Sequence, residues 1–337
     1  MKKLYGLLSL GLLATAGCQQ DKYIFDSYST MRFDALKLPA AADTMALRTV
    51  DFVSAAQGYV GGDQGAFFAT TDAGQTWTRM ASLGTRTVHK LLFTSPTAGW
   101  AGTDAGLYRT TNGGQSWAYV PTYNGYGSAG GSILDVQFVT PQVGYAVGTQ
   151  GAISKTTNGG ATWTTTHRYY YKVYTFRAVS FSSVDSGTVV GDEYAKWTTT
   201  NGGQTWSVLD GSPAGSGVDR QYDVLRFNEK SYLLALAGGL QAYAPAYSYG
   251  QRPDDGFGYP AYGLATAGPR GPVVAVGERT IIRQRAADAA PDSAPWVYVH
   301  APDGTSFTEK FYAADFADSG TFYAVGARGL IYRFHYQ

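Results

Sequence analysis

Charge, cysteine and histidine are all scarce in this sequence, and each scarcity excludes a class of protein. Ionised side chains make up 15% of 337 residues and nearly cancel, with 26 Lys and Arg against 25 Asp and Glu. There is no basic excess to neutralise a phosphate backbone, so nucleic acid is not an expected partner. The single cysteine, Cys18, cannot form an internal disulfide or a thiolate zinc site. The four histidines (His89, His167, His300, His335) show no metal-ligand spacing. Neither a metal nor another cofactor is expected. What is abundant is glycine (43 residues), tyrosine (26) and apolar side chains generally (44%). That composition suits short strands, tight turns and a sizeable core rather than disorder.

The chain opens on Met1-Lys2-Lys3, followed by the apolar run Leu4 to Leu13, which is too short to span a bilayer and reads as a secretion signal. It ends at Ala16-Gly17-Cys18. Small residues directly before a cysteine resemble the bacterial lipoprotein cleavage box, so residues 1–17 are expected to be a lipoprotein signal peptide. Cys18 is then the lipidated first residue and 18–30 the tether. Three acyl chains at about 0.8 kcal/mol per buried CH₂ would hold the protein on a leaflet. Gln19 after the cysteine lacks the aspartate associated with inner-membrane retention. The expected location is the cell envelope, at the outer membrane or facing the periplasm.

An octet recurs four times: Thr70 to Trp77, Thr110 to Trp117, Thr156 to Trp163 and Thr199 to Trp206, with tryptophans 40, 46 and 43 residues apart. Such a period implies a propeller or solenoid. Within each octet, Asp72, Asn112, Asn158 or Asn201 precedes small residues suited to positive φ, the chemistry of a hairpin turn. The closing tryptophan (Trp77, Trp117, Trp163, Trp206) is expected to lock the turn, with its N–H bonded to a partner. Upstream of the first three octets runs a second signature, exemplified by Gly144-Tyr145-Ala146-Val147-Gly148. Before that come apolar segments ending near Phe52, Phe93, Phe138, Phe181, Phe227 and Phe316. Four strands per unit make a propeller blade.

The repeat is clear at 45–210, degenerate at 220–300 and returns at 309–337, where the chain ends before a fourth strand. Met31 to Leu36, followed by 43–52, imitates the run from Thr76 to Phe93 and supplies the missing strand. The expectation is therefore an all-β, seven-bladed propeller of four-stranded antiparallel blades over 31–337, closed by an N-terminal strand completing the last blade and monomeric. Six or eight blades are the alternatives.

These octets and the Gly-Tyr-Ala-Val-Gly segments together resemble the BNR or Asp-box propellers, and within them the photosystem II stability and assembly factor-like group. The resemblance implies a non-enzymatic seven-bladed propeller that holds other proteins during assembly, in some members lipid-anchored. Sialidases share the octets, which sets a carbohydrate-binding or sialidase-like glycoside hydrolase propeller as the alternative. No Arg-Ile-Pro segment or arginine triad of that family can be matched here, and no catalytic residue is assigned.

A site is expected on the face opposite the octets, where the b–c turns and blade crossings lie. The crossings are rich in residues that suit a protein partner or, through aromatic platforms, a glycan: Tyr123, Tyr126, Arg168, Tyr169, Tyr170, Tyr171, Arg252 and Tyr259. The alternative is that these tyrosines cap the blades. The b–c turns add Asp63, Asp104, Gln150, Asp192, Glu193, Glu278, Arg279 and Arg328. Arg48, His89, Arg177 and Asp223 each stand four residues before a phenylalanine and are expected to converge on the channel, either as a salt-bridge network or to recognise a charged group. If 31–36 is the outer strand of the last blade, the chain enters it from the octet side. About twelve residues separate it from Cys18, a reach of at most roughly 40 Å.

Overall fold

The computed structural model describes residues 29–39, 44–122, 131–167, 174–208, 220–228, 231–243, 259–268, 271–284 and 296–335. Among these residues there is no α-helix; seven antiparallel sheets succeed one another along the chain. Their inner strands are Leu47–Phe52, Val88–Phe93, Ile133–Phe138, Phe176–Phe181, Gln221–Arg226, Ala261–Thr266 and Phe311–Asp318. Blades one to four have four strands each. Blade five has three described strands, and residues 244–258 that follow lie outside the described residues. The second strand of every blade is buried along nearly its whole length, as in Gly144–Gly148 and Val273–Gly277, because it packs between neighbouring blades on both faces.

The seventh blade closes as the sequence implies: Arg32–Leu36 pairs antiparallel with Ile331–His335, Arg32 opposite His335. Arg333 Nη2 meets Asp34 Oδ2 at 2.6 Å across this seam, and His335 Nε2 lies 3.1 Å from the same oxygen. These bonds, Arg333 above all, pull the Asp34 carboxyl below its usual range. The sequence did not suggest the step before it. Ser29–Thr30 pairs parallel with Trp296–His300, the outer strand of blade six, and Met31 is buried among Val299, Phe311 and Phe334. The N-terminal segment thus crosses from the rim of blade six to that of blade seven and ties two blades together.

The octets are the c–d turns. In each, the first threonine hydroxyl donates to the Asp or Asn Oδ1 (2.8 to 3.0 Å) and accepts the amide of the glycine at the fifth position at 2.9 Å. The same Oδ1 accepts the amide of the seventh residue. In Asp72, bonds from the Thr76 hydroxyl and amide and from the Thr70 hydroxyl hold the carboxyl down to about 2. The glycine at the fifth position is obligatory: Gly160 has φ +79°, and a Cβ there would lie 2.1 Å from the indole of Trp100 in the preceding blade.

Aromatic rings link blade to blade. The first-strand phenylalanine meets its own blade's octet tryptophan edge to face, as in Phe181 and Trp206 at 6.1 Å and 88°. It also stacks on the second-strand aromatic of the blade before. Tyr59 lies on Phe93 at 3.6 Å, Tyr145 on Phe181 at 3.7 Å, and Tyr323 on Phe52 at 3.8 Å, the last closing the ring. Tyr145 and Tyr323 then donate their hydroxyls to the octet carbonyls of Gly202 and Ala73 in the next blade. One expectation fails here. The indole N–H groups of Trp77, Trp117, Trp163 and Trp206 are buried and find no acceptor among the described residues. At Trp77 and Trp206 the indole Nε1 instead lies beside the fifth-position glycine, Gly74 or Gly203.

Candidate functional site

All seven inner strands carry a β-bulge at the same place, their second residue. A bulge leaves one residue out of the ladder and re-aims its side chain, a device common beside functional sites. The seven bulged residues are Arg48, His89, Leu134, Arg177, Tyr222, Tyr262 and Tyr312. They lie at the b–c turn end of the inner strands and form a rim of two unlike halves: blades one to four present Arg48, His89 and Arg177, and blades five to seven present three tyrosines.

The rim is held by acids from the b–c turns. Arg48 engages Asp63 through Nε and Nη2, the latter at 3.1 Å, and Arg177 engages Asp192 in the same way at 2.6 and 3.0 Å. In both, the Nη1 edge makes no hydrogen bond among the described residues. Glu278 accepts the Tyr262 hydroxyl at 3.0 Å and lies 3.5 Å from Lys310 Nζ. Tyr222 and Tyr262 meet edge to face at 4.9 Å. Cations cover the arc: Arg177 over Tyr222, Lys310 over Tyr262 and Tyr312, and Arg48 over Tyr312. Burial, and next the Arg48 charge, lower His89 to about 4, so its imidazole is neutral at pH 7.

One layer below, polar side chains of one inner strand accept amides of the next blade's: Asp315 from Phe52, Asp51 from Phe93, Asp135 from Val179, Gln137 from Phe181 and Asp223 from Leu264, at 2.7 to 2.9 Å. These amides have no ladder partner on the channel side, so the brackets satisfy donors that would otherwise be orphaned. Lys90 sits 3.1 Å from Asp135, which raises its pKa. Burial pushes Asp51 well up, Asp223 to about 7 and Asp315 to about 6. The folded state therefore binds protons that the unfolded chain releases, and stability falls as pH rises from about 4 to 7. Asp223→Asn keeps an acceptor for Leu264. It is expected to raise the melting temperature at pH 8 by roughly 2–4 °C and to change it little at pH 4; equal shifts at both would mean Lys90 already neutralises the group.

Of the residues singled out from sequence, Arg48, His89 and Arg177 are in the rim. Tyr259 is exposed beside it, under the Arg279 guanidinium at 5.9 Å. Arg328 stands exposed at a b–c turn tip with φ +57° and takes part in no ion pair among the described residues. Asp223 is not a rim residue: Phe227 lies one place beyond its strand, so the four-residue count lands in the layer below. Cys18, Tyr123, Tyr126, Arg168, Tyr169, Tyr170, Tyr171 and Arg252 lie outside the described residues. Sequence reasoning missed Tyr222, Tyr312 and Lys310, although Tyr312 stands at the same four-residue offset before Phe316; it reached Tyr262 only as the end of the tyrosine-rich crossing from Gly250.

The fold and the repeated turn define a seven-bladed β-propeller whose c–d turns resemble those of BNR proteins. Residues 128–227 match the family described as photosynthesis system II assembly factor YCF48. Among solved structures, the chain is 17% identical to YCF48 bound to D1 peptide, covering 92% of this chain and 96% of that one with a TM-score of 0.67. It is 19% identical to YCF48 from Cyanidioschyzon merolae, covering 90% and 98% with a TM-score of 0.66. An ancestral GH74 enzyme matches at 15% identity and TM-score 0.67, over 90% of this chain and 46% of that one. At these identities the likeness is one of fold. A comparison with curated protein sequences finds no match.

Proposed function

We propose that this chain is a membrane-tethered, non-enzymatic propeller that holds a protein partner on its b–c turn face, in the manner of an assembly factor. The observation that carries this is the rim: seven bulges at one strand position present fixed arginines on one side and a tyrosine arc on the other. Arginine and tyrosine offer large contact area with polar tips and lose little conformational entropy on binding. The YCF48 relative bound to a D1 peptide supports a peptide-like partner. Against hydrolysis, the inner-strand carboxylates are occupied in accepting backbone amides rather than standing opposed across an open cleft. Affinity purification from crosslinked envelopes, followed by mass spectrometry, is expected to recover a protein. Recovery of glycan alone would replace this reading with a carbohydrate-binding one.

The tether belongs to the same proposal. Arg32–Leu36 starts at the octet end of the ring, because Arg32 faces His335, the end of the third strand that leads toward that face. A lipid on Cys18 would set the octet face toward the membrane and turn the rim away from it. Cys18→Ala is expected to move the protein into the soluble fraction of a detergent-free extract; retention in the membrane fraction would defeat the tether.

A further inference from the structure

A cavity of about 360 Å³ lies beside the rim, between blade six and the crossing to blade seven, lined by Tyr259, Arg279, Thr280, Tyr298, Phe307 and Thr308 among others. We propose that it receives an aromatic side chain of the partner, and that Arg279 at the same site receives an adjoining carboxylate. This rests on the partner-binding reading above and specifies the partner's chemistry.

The volume is at the small end of ligand pockets, which run from about 300 to 1,000 Å³, and suits one side chain better than a large cofactor. Its walls are aromatic and its floor is fixed: Phe307 is buried and packs edge-on against Phe311 and Phe334. Arg279 makes no ion pair among the described residues. Its backbone is pinned by a hydrogen bond from its N–H to the Glu309 carbonyl at 2.8 Å. The neighbouring acids are committed elsewhere. Glu309 accepts the Thr308 amide and the Tyr332 hydroxyl, and Glu278 accepts Tyr262 beside Lys310. No acid lines the cavity, so a guanidinium stands over an aromatic slot with no carboxylate to meet it. The slot adjoins the tyrosine arc through Glu278, the residue before Arg279. Aromatic anchors in such pockets carry much of the energy of a protein interface.

The test uses N-acetyl-L-phenylalanine as probe, with N-acetyl-L-phenylalaninamide and methyl β-D-glucuronide as comparisons, read by saturation-transfer NMR on the full protein. The acid is expected to bind about tenfold more tightly than the amide, the difference made by one charge-assisted contact. Arg279→Asn, which tolerates the left-handed backbone (φ +57°), should erase that difference. Ser306→Trp, in the exposed crossing, should abolish binding of both without lowering the melting temperature. Absence of transfer to either phenyl probe, or transfer to the glucuronide alone, would overturn the proposal. Capture of the envelope partner distinguishes the two readings. If both variants capture it as well as the native protein does, the slot assignment falls and partner binding stands. If the probe binds but no protein is ever captured, partner binding falls instead.

Discussion

Phe181→Ala is expected to lower the unfolding free energy by about 3–5 kcal/mol, the range for removing a buried phenylalanine. Its ring belongs to two blades at once. It stacks on Tyr145 of blade three at 3.7 Å and 9°, meets Trp206 of its own blade edge to face, and covers Gly187, where a Cβ would lie 2.4 Å from the ring. A glycine at that position exists to admit the ring, so nothing nearby can collapse into the space it leaves. Tyr145→Phe is the matched control. It keeps the stack and loses the hydroxyl, which is shared between the Gly202 carbonyl at 3.0 Å and the Val184 carbonyl at 3.4 Å, a loss of about 1 kcal/mol. Urea unfolding with an unchanged slope checks both. A loss below 1 kcal/mol for Phe181→Ala would show that the blades are held together chiefly by their backbone brackets.

The second large effect concerns binding. Replacing Arg48 and Arg177 together by alanine is expected to weaken partner capture at least tenfold while moving the melting temperature by no more than roughly 2–4 °C. The arginine side chains are 39% and 28% exposed, and ion pairs of that exposure add about 1 kcal/mol or less to stability. Their role in recognition is larger, because Asp63 and Asp192 hold each guanidinium by one edge and leave Nη1 turned away from the carboxylate. Deleting both also uncovers Asp63 and leaves Asp192 with only Arg220, 3.6 Å away, so the rim loses much of its attraction for an acidic segment. Native capture should weaken with added salt, and the variant's residual capture should not. An anion seated beside His89 would raise its pKa from about 4. Binding then takes up a proton, and capture strengthens as pH falls from 7 toward 5. Capture that is unchanged by the double substitution would remove the cationic half of the rim from the account.

The features visible in the sequence are those whose chemistry is local. An octet declares its turn because Thr70, Asp72 and Gly74 need only each other, and the closing strand is visible because Met31 to Leu36 repeats a pattern seen elsewhere in the chain. The rim was half visible. Arg48, His89 and Arg177 share a spacing to phenylalanine, and so does Tyr312, but blade six has no phenylalanine to count from and Phe227 is displaced by one residue, so that count reaches neither Tyr262 nor Tyr222. The bulges that unite these residues arise from strand register, which has no signature in a single strand. The pairing of Ser29–Thr30 with blade six was equally hidden, since two residues of parallel ladder carry no periodicity. The indole N–H groups show the converse error. A residue type that usually finds an acceptor is here buried against glycine and rings.

Site-specific photocrosslinking in the native envelope tests the central claim most directly, with the crosslinker placed at Tyr312 in the rim and, in parallel, at Gln115 in the exposed octet of blade two. The account predicts a discrete protein adduct from position 312 and none of the same mass from 115. An adduct from 115 alone, with position 312 silent, would contradict it.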